Sequence, residues 1–209
     1  MSASSTDPPP VPDSVARARS LSGVDEAARL YGEWAATYDD DVFGKLGFTG
    51  SARIAELLAG VLPDPDQPVV DLGCGTGAVG RRLGELGVTT IDGIDLSPEM
   101  LAVAASTGAY RALTVGDLNA LPADLHATYA ASVSAGTFTT GHVGPDAVPR
   151  LLELLRPGGI VAWVIATTTW PQFEPVLAAL HVLHREIEPI RRDGPSEAVM
   201  FVARASTIG

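Results

Sequence analysis

The sequence predicts an α/β fold: a mostly parallel sheet with helices on both faces, ending in an antiparallel hairpin. Three observations carry this. From Val69 onward, short apolar runs alternate with helical stretches, the rhythm of βαβ units. One such run, Val69-Val70-Asp71-Leu72, passes directly into Gly73-Cys74-Gly75-Thr76-Gly77 and then into a helix. The last two strand-like runs are separated only by residues 192–197, too few for a crossover, so they pair as a hairpin.

In chain order, residues 1–19 read as a disordered tail, because Pro8, Pro9, Pro10 and Pro12 remove backbone donors and few apolar groups surround them. Residues 20–66 read as an N-terminal helical lid. Its first helix is expected from about Asp25 to Thr37, opened by Ser22 with Asp25 three residues on. It presents Ala27, Leu30, Tyr31 and Trp34 on one face, and Asp39, Asp40 and Asp41 end it. A second helix, about Gly50 to Val61, carries Ile54, Leu57, Leu58 and Val61 at helical spacing; Pro63, Pro65 and Pro68 then stiffen the link to residues 67–209. There the strands are expected at Val69 to Leu72, Thr90 to Asp95, Ala112 to Val115, Ala130 to Ser134 and Ile160 to Ala166. Helices fall between them at about Ala78 to Leu86, Pro98 to Ala105 and Pro145 to Leu155. A helix from about Gln172 to His184 precedes the hairpin strands Glu186 to Arg191 and Ala198 to Ala203.

Composition narrows the function classes. A chain of 209 residues suits one domain with a small appendage, and 46% hydrophobic against 19% charged residues is enough to bury a core. A net charge of −11 repels phosphate backbones and argues against a nucleic-acid partner. The lone Cys74 excludes an intrachain disulfide and a four-thiolate zinc site. No apolar run approaches the ~20 residues that span a bilayer. Met1 to Pro12 lacks the basic start and apolar stretch of a secretory signal, so a cytoplasmic monomer or homodimer is expected. Thirteen arginines against one lysine suggest a GC-rich bacterial genome.

The glycine loop is the strongest functional signal. Alternate glycines let backbone approach a ligand, and the following helix start offers free N–H groups. Gly75-Thr76-Gly77-Ala78-Val79-Gly80 also satisfies the dinucleotide pattern GxGxxG. Asp71, two residues before the first glycine, opposes that reading, because its carboxylate would repel a pyrophosphate. It favours a ligand with a cationic amine there. Asp95 ends the second strand 18 residues after Gly77, the spacing of an acid that accepts from ribose hydroxyls in either kind of site. Ser97-Pro98 then opens a helix as N-cap and first helical residue. Asp117, after the third strand, accepts from an exocyclic amine or simply forms a turn.

Taken together, Asp71-Leu72-Gly73-Cys74-Gly75-Thr76-Gly77, Asp95-Leu96-Ser97-Pro98-Glu99-Met100, Gly116-Asp117-Leu118 and Leu155-Arg156-Pro157-Gly158-Gly159 resemble, in kind and order, the motifs of class I S-adenosylmethionine-dependent methyltransferases. The resemblance spans about Val69 to Ala203. It implies a Rossmann-like, seven-stranded sheet with an antiparallel last strand. It implies that Asp71 faces the methionine amine and that Gly73, Gly75 and Gly77 line the methionine moiety. It places Asp95 on the ribose, Leu96 and Met100 against adenine, and Asp117 with Leu118 on the adenine edge. Cys74 within the loop and Ser134 at the end of the fourth strand are counted with them as cofactor contacts. Tyr31-Gly32-Glu33-Trp34-Ala35-Ala36-Thr37-Tyr38-Asp39 and Gly136-Thr137-Phe138-Thr139-Thr140-Gly141-His142-Val143 resemble small methyltransferases of the Williams–Beuren-region type.

For the acceptor, the residues point to a small molecule. The Asn/Asp-Pro-Pro-aromatic and Pro-Cys signatures of nucleic-acid methyltransferases are absent after the fourth strand, and the acidic metal site of catechol methyltransferases is not evident, so no metal is expected. His142 is the candidate general base, since imidazole titrates near neutral pH. Tyr31 and Tyr38 are candidate lid contacts, and Phe138 and Trp170 are candidate acceptor contacts. His126 reads as lying in a polar loop, and His181 and His184 as lying on the terminal helix. Two alternatives remain open: an NAD-dependent oxidoreductase, and a binding module or cyclase that keeps the cofactor and transfers no methyl.

Overall fold

The apolar run Val69–Leu72 forms β1 and is buried at every position, as a central strand covered on both faces must be. The computed structural model describes residues 12–18, 20–21, 23–122, 128–192 and 196–205. The other strands are β2 (Ile91–Asp95), β3 (Ala112–Val115), β4 (Tyr129–Phe138), β5 (Leu155–Ala166), β6 (His181–Pro189) and β7 (Glu197–Arg204). They form one sheet in the order β3-β2-β1-β4-β5-β7-β6. β7 runs antiparallel to both neighbours, and the other adjacent pairs are parallel. The expected mostly parallel sheet with a closing hairpin is therefore the observed one. The chain order reverses between β1 and β4, where an open α/β sheet leaves its crevice.

The helices are α1 (Asp13–Ala18), α2 (Val24–Trp34), α3 (Gly50–Val61), α4 (Ala78–Glu85), α5 (Pro98–Ser106), α6 (Val148–Leu152) and α7 (Trp170–Leu177). Period-two alternation sends successive strand residues to opposite layers. Val70 and Leu72 face a core shared with Trp163, Phe201, Leu151 and Phe173, under α6 and α7. Val69, Val133, Ile160 and Met200 face the other core, closed by Ile54 and Leu58 of α3 and Val79 and Leu83 of α4. A third, smaller cluster, Ala18, Leu21, Ala27, Leu30, Trp34 and Val42, belongs to the N-terminal segment.

Several expected boundaries move. The tail is not wholly irregular: Asp13–Ala18 is helical, with Ala18 buried in the N-terminal cluster. The remainder of the expected tail, residues 1–11 and 19, lies outside the described residues, as do Ser22 and His126. α2 stops at Trp34, three residues early, and residues Asp40–Lys45 wind as a wider π-helical turn. There Asp41 accepts from the Trp34 indole at 2.8 Å and from Lys45 at 2.7 Å. The helix expected from Pro145 to Leu155 is a short 3₁₀ turn at Pro145–Ala147 followed by α6.

The largest correction concerns the C-terminal third. The helix expected through His184 ends at Leu177, and His181 and His184 sit on β6. Pairing with β7, from His181 opposite Arg204 to Pro189 opposite Glu197, supplies hydrogen bonds that override the local helical spacing. β6 is an edge strand anchored by Arg53 of α3, which forks onto Glu188 at 2.7 and 2.9 Å.

Candidate active site

Four strand ends and two helices, α2 and α5, build the site. β1 delivers the glycine loop, and Gly73 shows why that loop needs glycine. Its φ is +69°, and a Cβ there would lie 2.2 Å from Thr137 Oγ1. Thr137 is itself fixed by donating to the Leu72 carbonyl at 3.1 Å. β2 delivers Asp95, whose carboxylate accepts from the Gly75 N–H at 2.8 Å and the Ser97 N–H at 2.9 Å. Burial pushes the Asp95 carboxyl up, while these backbone donors pull it back down. Ser97 caps α5 by accepting from the Met100 N–H at 3.2 Å, which sets Met100 and Leu96 beside Asp95. β3 delivers Gly116, Asp117 and Leu118. Asp117 Oδ1 accepts from the Asn119 N–H at 2.9 Å, so the carboxylate forms a turn and also faces the crevice.

These residues converge on a cavity of about 380 Å³. From the glycine loop and its neighbours it takes Gly73, Gly75, Asp95, Leu96, Met100, Asp117 and Leu118. From the N-terminal segment it takes Leu21, Val24, Ala27, Tyr31 and Tyr38, from the end of β4 Thr137, and from the loop after it Gly141, His142 and Val143. The sequence reading missed Leu21, Val24, Ala27, Asn119 and Val143, whose types are ordinary core or loop types. The N-terminal segment is tied to the loop it covers, since Thr76 Oγ1 donates to Asp39 Oδ1 at 2.6 Å.

Six expected contacts are not on the cavity wall. Phe138 and Trp170, expected at the acceptor side, belong to the sheet core. Phe138 has no exposed surface and packs against Trp163 and Phe173, with ring centroids 4.6 and 5.4 Å away. Trp170 packs on Phe201. Ser134 is buried and donates to the Leu72 carbonyl at 2.7 Å, tying β4 to β1. The Cys74 thiol turns away toward Gly93, where a Cβ would lie 2.9 Å from its sulfur. Gly77 starts α4 in the left-handed region, with φ +89°. Asp71 is fully buried: Oδ2 accepts from the Tyr110 hydroxyl at 2.7 Å, and Oδ1 has no hydrogen-bond partner. Tyr110, which no sequence signal marked, explains Gly80, because a Cβ there would fall 2.3 Å from its ring.

On the same cavity wall, the Tyr31 hydroxyl and His142 Nε2 are 2.7 Å apart, and His142 Nδ1 lies 3.0 Å from the Thr140 carbonyl oxygen. Burial pulls the His142 pKa below its ordinary value, against the Thr140 hydrogen bond. On β6, His184, Glu186 and Glu188 bring ligand atoms within 4.8 Å of one another. The Glu188 carboxylate there is already taken up by the Arg53 guanidinium, whose charge opposes a metal ion.

The wall chemistry selects the kind of ligand. Among the described lining residues there are two carboxylates, Asp95 and Asp117, and no lysine or arginine. A pyrophosphate would meet repulsion and no counter-charge, whereas a cationic, ribose-bearing ligand would be matched. Asp71, buried behind the glycine loop and close enough to Asp95 to be raised by its charge, adds a third carboxylate near the cavity. The family described as a methyltransferase domain matches residues 69–159. Human methyltransferase-like protein 27 is 31% identical over 165 residues, covering 76% of this chain and 66% of that protein. The chain belongs to the class I S-adenosylmethionine-dependent methyltransferases. Trans-aconitate 2-methyltransferase of Streptomyces avermitilis is 39% identical over 123 residues, 53% of this chain and 44% of that enzyme. The chain thus spans no more than two thirds of the length of either methyltransferase relative. The cyclase SpnF shares the fold, with a TM-score of 0.71 at 16% identity over 90% of this chain and 98% of that one. S-adenosylmethionine is the cofactor of this methyltransferase family, and a wall with two carboxylates and, among its described residues, no lysine or arginine fits it. Among the described residues, no helix is long and apolar enough to cross a membrane.

Proposed function

We propose that this domain transfers a methyl group from S-adenosylmethionine to a small-molecule acceptor. The observation that carries the reading is one cavity whose wall brings together the carboxylates Asp95 and Asp117, the glycine loop, and Tyr31 with His142. Asp95 would hold the ribose hydroxyls, Asp117 and Leu118 the adenine edge, Leu96 and Met100 its faces, and Gly73 and Gly75 the methionine moiety. Asp71 would act from behind the loop on the amine. When bound, the cofactor supplies an activated methyl on a sulfonium, so the protein's task is to align the acceptor and exclude water. His142 would take the acceptor's proton where that acceptor is a hydroxyl or a protonated nitrogen. Residues 20–66, with Tyr31 and Tyr38 facing inward, would close the cavity as a lid.

Relatives from Streptomyces avermitilis and Deinococcus radiodurans named for trans-aconitate support a small-molecule acceptor. Trans-aconitate is an anion, and the described wall of this cavity has no cation to hold one. The cytoplasm is the compartment we infer for this chemistry.

Calorimetry with S-adenosylmethionine and with NAD, followed by transfer of a tritiated methyl to fractions of a small-molecule extract, tests the reading. Binding of S-adenosylmethionine alone, with label in a small-molecule fraction, is expected. Tight NAD binding points to an oxidoreductase. Cofactor binding without label in any fraction points to a module that keeps the cofactor and transfers nothing.

A further inference from the structure

Tyr31 reaches His142 from a different element: one stands on α2, the other in the loop after β4, and their side chains meet at 2.7 Å on the cavity wall. The rest of the imidazole fixes the direction of that hydrogen bond. Nδ1 faces the Thr140 carbonyl oxygen at 3.0 Å, and a carbonyl only accepts, so Nδ1 carries the ring hydrogen. A neutral imidazole has one ring hydrogen, so Nε2 presents its lone pair and Tyr31 donates to it. Burial favours the neutral form of both groups, lowering His142 and raising Tyr31 above the ordinary phenol value. Nε2 is therefore engaged already, and the oxygen left to receive a proton from the cavity is Tyr31 Oη.

The charge of the wall is the second observation. The cavity that the Tyr31–His142 pair lines takes Leu21, Val24, Ala27 and Val143 as apolar wall, with Tyr38 beside Tyr31 at 6.3 Å between ring centroids, and no lysine or arginine anywhere on the described lining. An anionic acceptor buried there would lose its hydration and gain no counter-charge from the described wall, leaving the cofactor's sulfonium alone to offset the loss. A hydroxyl on an apolar body would bury its carbon skeleton and hydrogen-bond to Tyr31.

We propose that the acceptor is an uncharged compound with an apolar body and a hydroxyl group, and that its proton leaves through Tyr31 to His142. This rests on the methyl-transfer reading above. The acceptor oxygen forms the new C–O bond as the methyl–sulfur bond breaks and leaves its electron pair on sulfur. The acceptor's proton passes to Tyr31 Oη while the Tyr31 proton passes to His142 Nε2. The imidazolium then gives its Nε2 proton up to solvent, which restores the neutral, Nδ1-protonated ring; Tyr31, having received one proton as it gave another, is already a neutral phenol.

Two measurements test this. The first needs no turnover: NMR of the histidine ring nitrogens in protein saturated with S-adenosylhomocysteine. The expected result is a His142 that is neutral, protonated on Nδ1, with an Nε2 signal that moves when Tyr31→Phe removes the donor. A His142 protonated on Nε2, or an Nε2 signal indifferent to Tyr31→Phe, overturns the relay. The second offers tritiated-methyl S-adenosylmethionine and the protein a panel of uncharged phenols and alcohols, p-ethylphenol among them, beside the matching carboxylates such as p-ethylbenzoate. Label on hydroxyl probes is expected. Tyr31→Phe should then cut turnover by about 10²-fold or more, with His142→Gln similar and the double variant no worse than either single one. Label confined to carboxylates, or a Tyr31→Phe variant with undiminished turnover, overturns the proposal and leaves methyl transfer standing. Cofactor binding with no label on any probe or extract fraction overturns the methyl-transfer reading itself.

Discussion

Asp95 accepts backbone hydrogen bonds from two directions before any ligand arrives, from Gly75 in the loop and from Ser97 at the start of α5. It therefore braces the site it serves. Asp95→Ala removes charge-assisted bonds of roughly 1.5–3 kcal/mol each to ribose, and cofactor affinity should fall at least tenfold while circular dichroism shows the fold retained. Unchanged affinity in a folded variant would remove Asp95 from the ribose. Asp71 makes a different prediction. Burial pushes its carboxyl up to about 7, against the Tyr110 hydrogen bond that pulls it down. Folding thus raises this pKa above the ordinary 3.8, so the stability it contributes is complete below that value and lost as pH climbs through 7. Asp71→Asn cannot titrate there. Denaturation curves should show wild type losing stability relative to the variant across that window and no further change above it. A cationic amine held on the glycine loop in front of Asp71 would displace the proton, so calorimetry near neutral pH should show buffer-dependent binding heats for wild type and none for Asp71→Asn. Buffer-independent heats for wild type would place the amine elsewhere.

β4 shows how far an element can be read from sequence and where the reading stops. Its apolar start, Ala130 to Ser134, was legible from composition alone. Its continuation to Phe138 was not, because the pairing with β5 shifts register between Ser134 and Phe138. Gly136 sits in that irregularity with φ +82° and open space where a Cβ would go. Gly136→Ala should therefore cost about 1–2 kcal/mol of backbone strain without any steric clash, measured as a lowered denaturation midpoint. A neutral or stabilising effect would mean that the bulge relaxes. The irregular end also misdirected the reading of Phe138: its extra residues turn that ring into the core beside Trp163 and aim Thr137 and His142 at the cavity. β1, β3, α3 and the loop motifs were legible because short-range rules decide them: burial on both faces, helical spacing and glycine chemistry. The strand from Glu186 and its hairpin were legible too, but the first half of β6, His181 to Arg185, was not, because its helical spacing yields to pairing with the far end of β7, and Tyr110 was not, because nothing in sequence announces that a loop phenol will reach a buried carboxylate.

At the scale of the molecule, the two cores that sandwich the sheet are each closed by helices, while the N-terminal cluster stands apart with its own apolar residues. Its links to the body include the Thr76–Asp39 and Tyr31–His142 hydrogen bonds, the packing of Leu96, and the close approach of Gly32 on α2 to Glu99 on α5. Its end is held as well, by Arg191 and Arg192 on the carbonyls of Phe43, Leu46 and Gly47, but a unit with only a small core of its own opens at lower free energy than the sheet it covers. Residues 20–48 should therefore exchange amide hydrogen faster than β1, β4 and β5 in the free protein. Ligand binding under the lid draws the two parts together, because that segment supplies Leu21, Val24, Ala27, Tyr31 and Tyr38 to the cavity wall. S-adenosylhomocysteine at about 100 times its Kd stabilises the bound state by ~2.7 kcal/mol, and states in which the lid has opened share little of that gain. Protection of residues 20–48 should then rise toward that of the sheet, and Thr76→Ala should weaken the rise by removing the tie to Asp39. Equal exchange of this segment with and without the ligand would mean that the N-terminal cluster is a fixed wall and that the acceptor enters by another route.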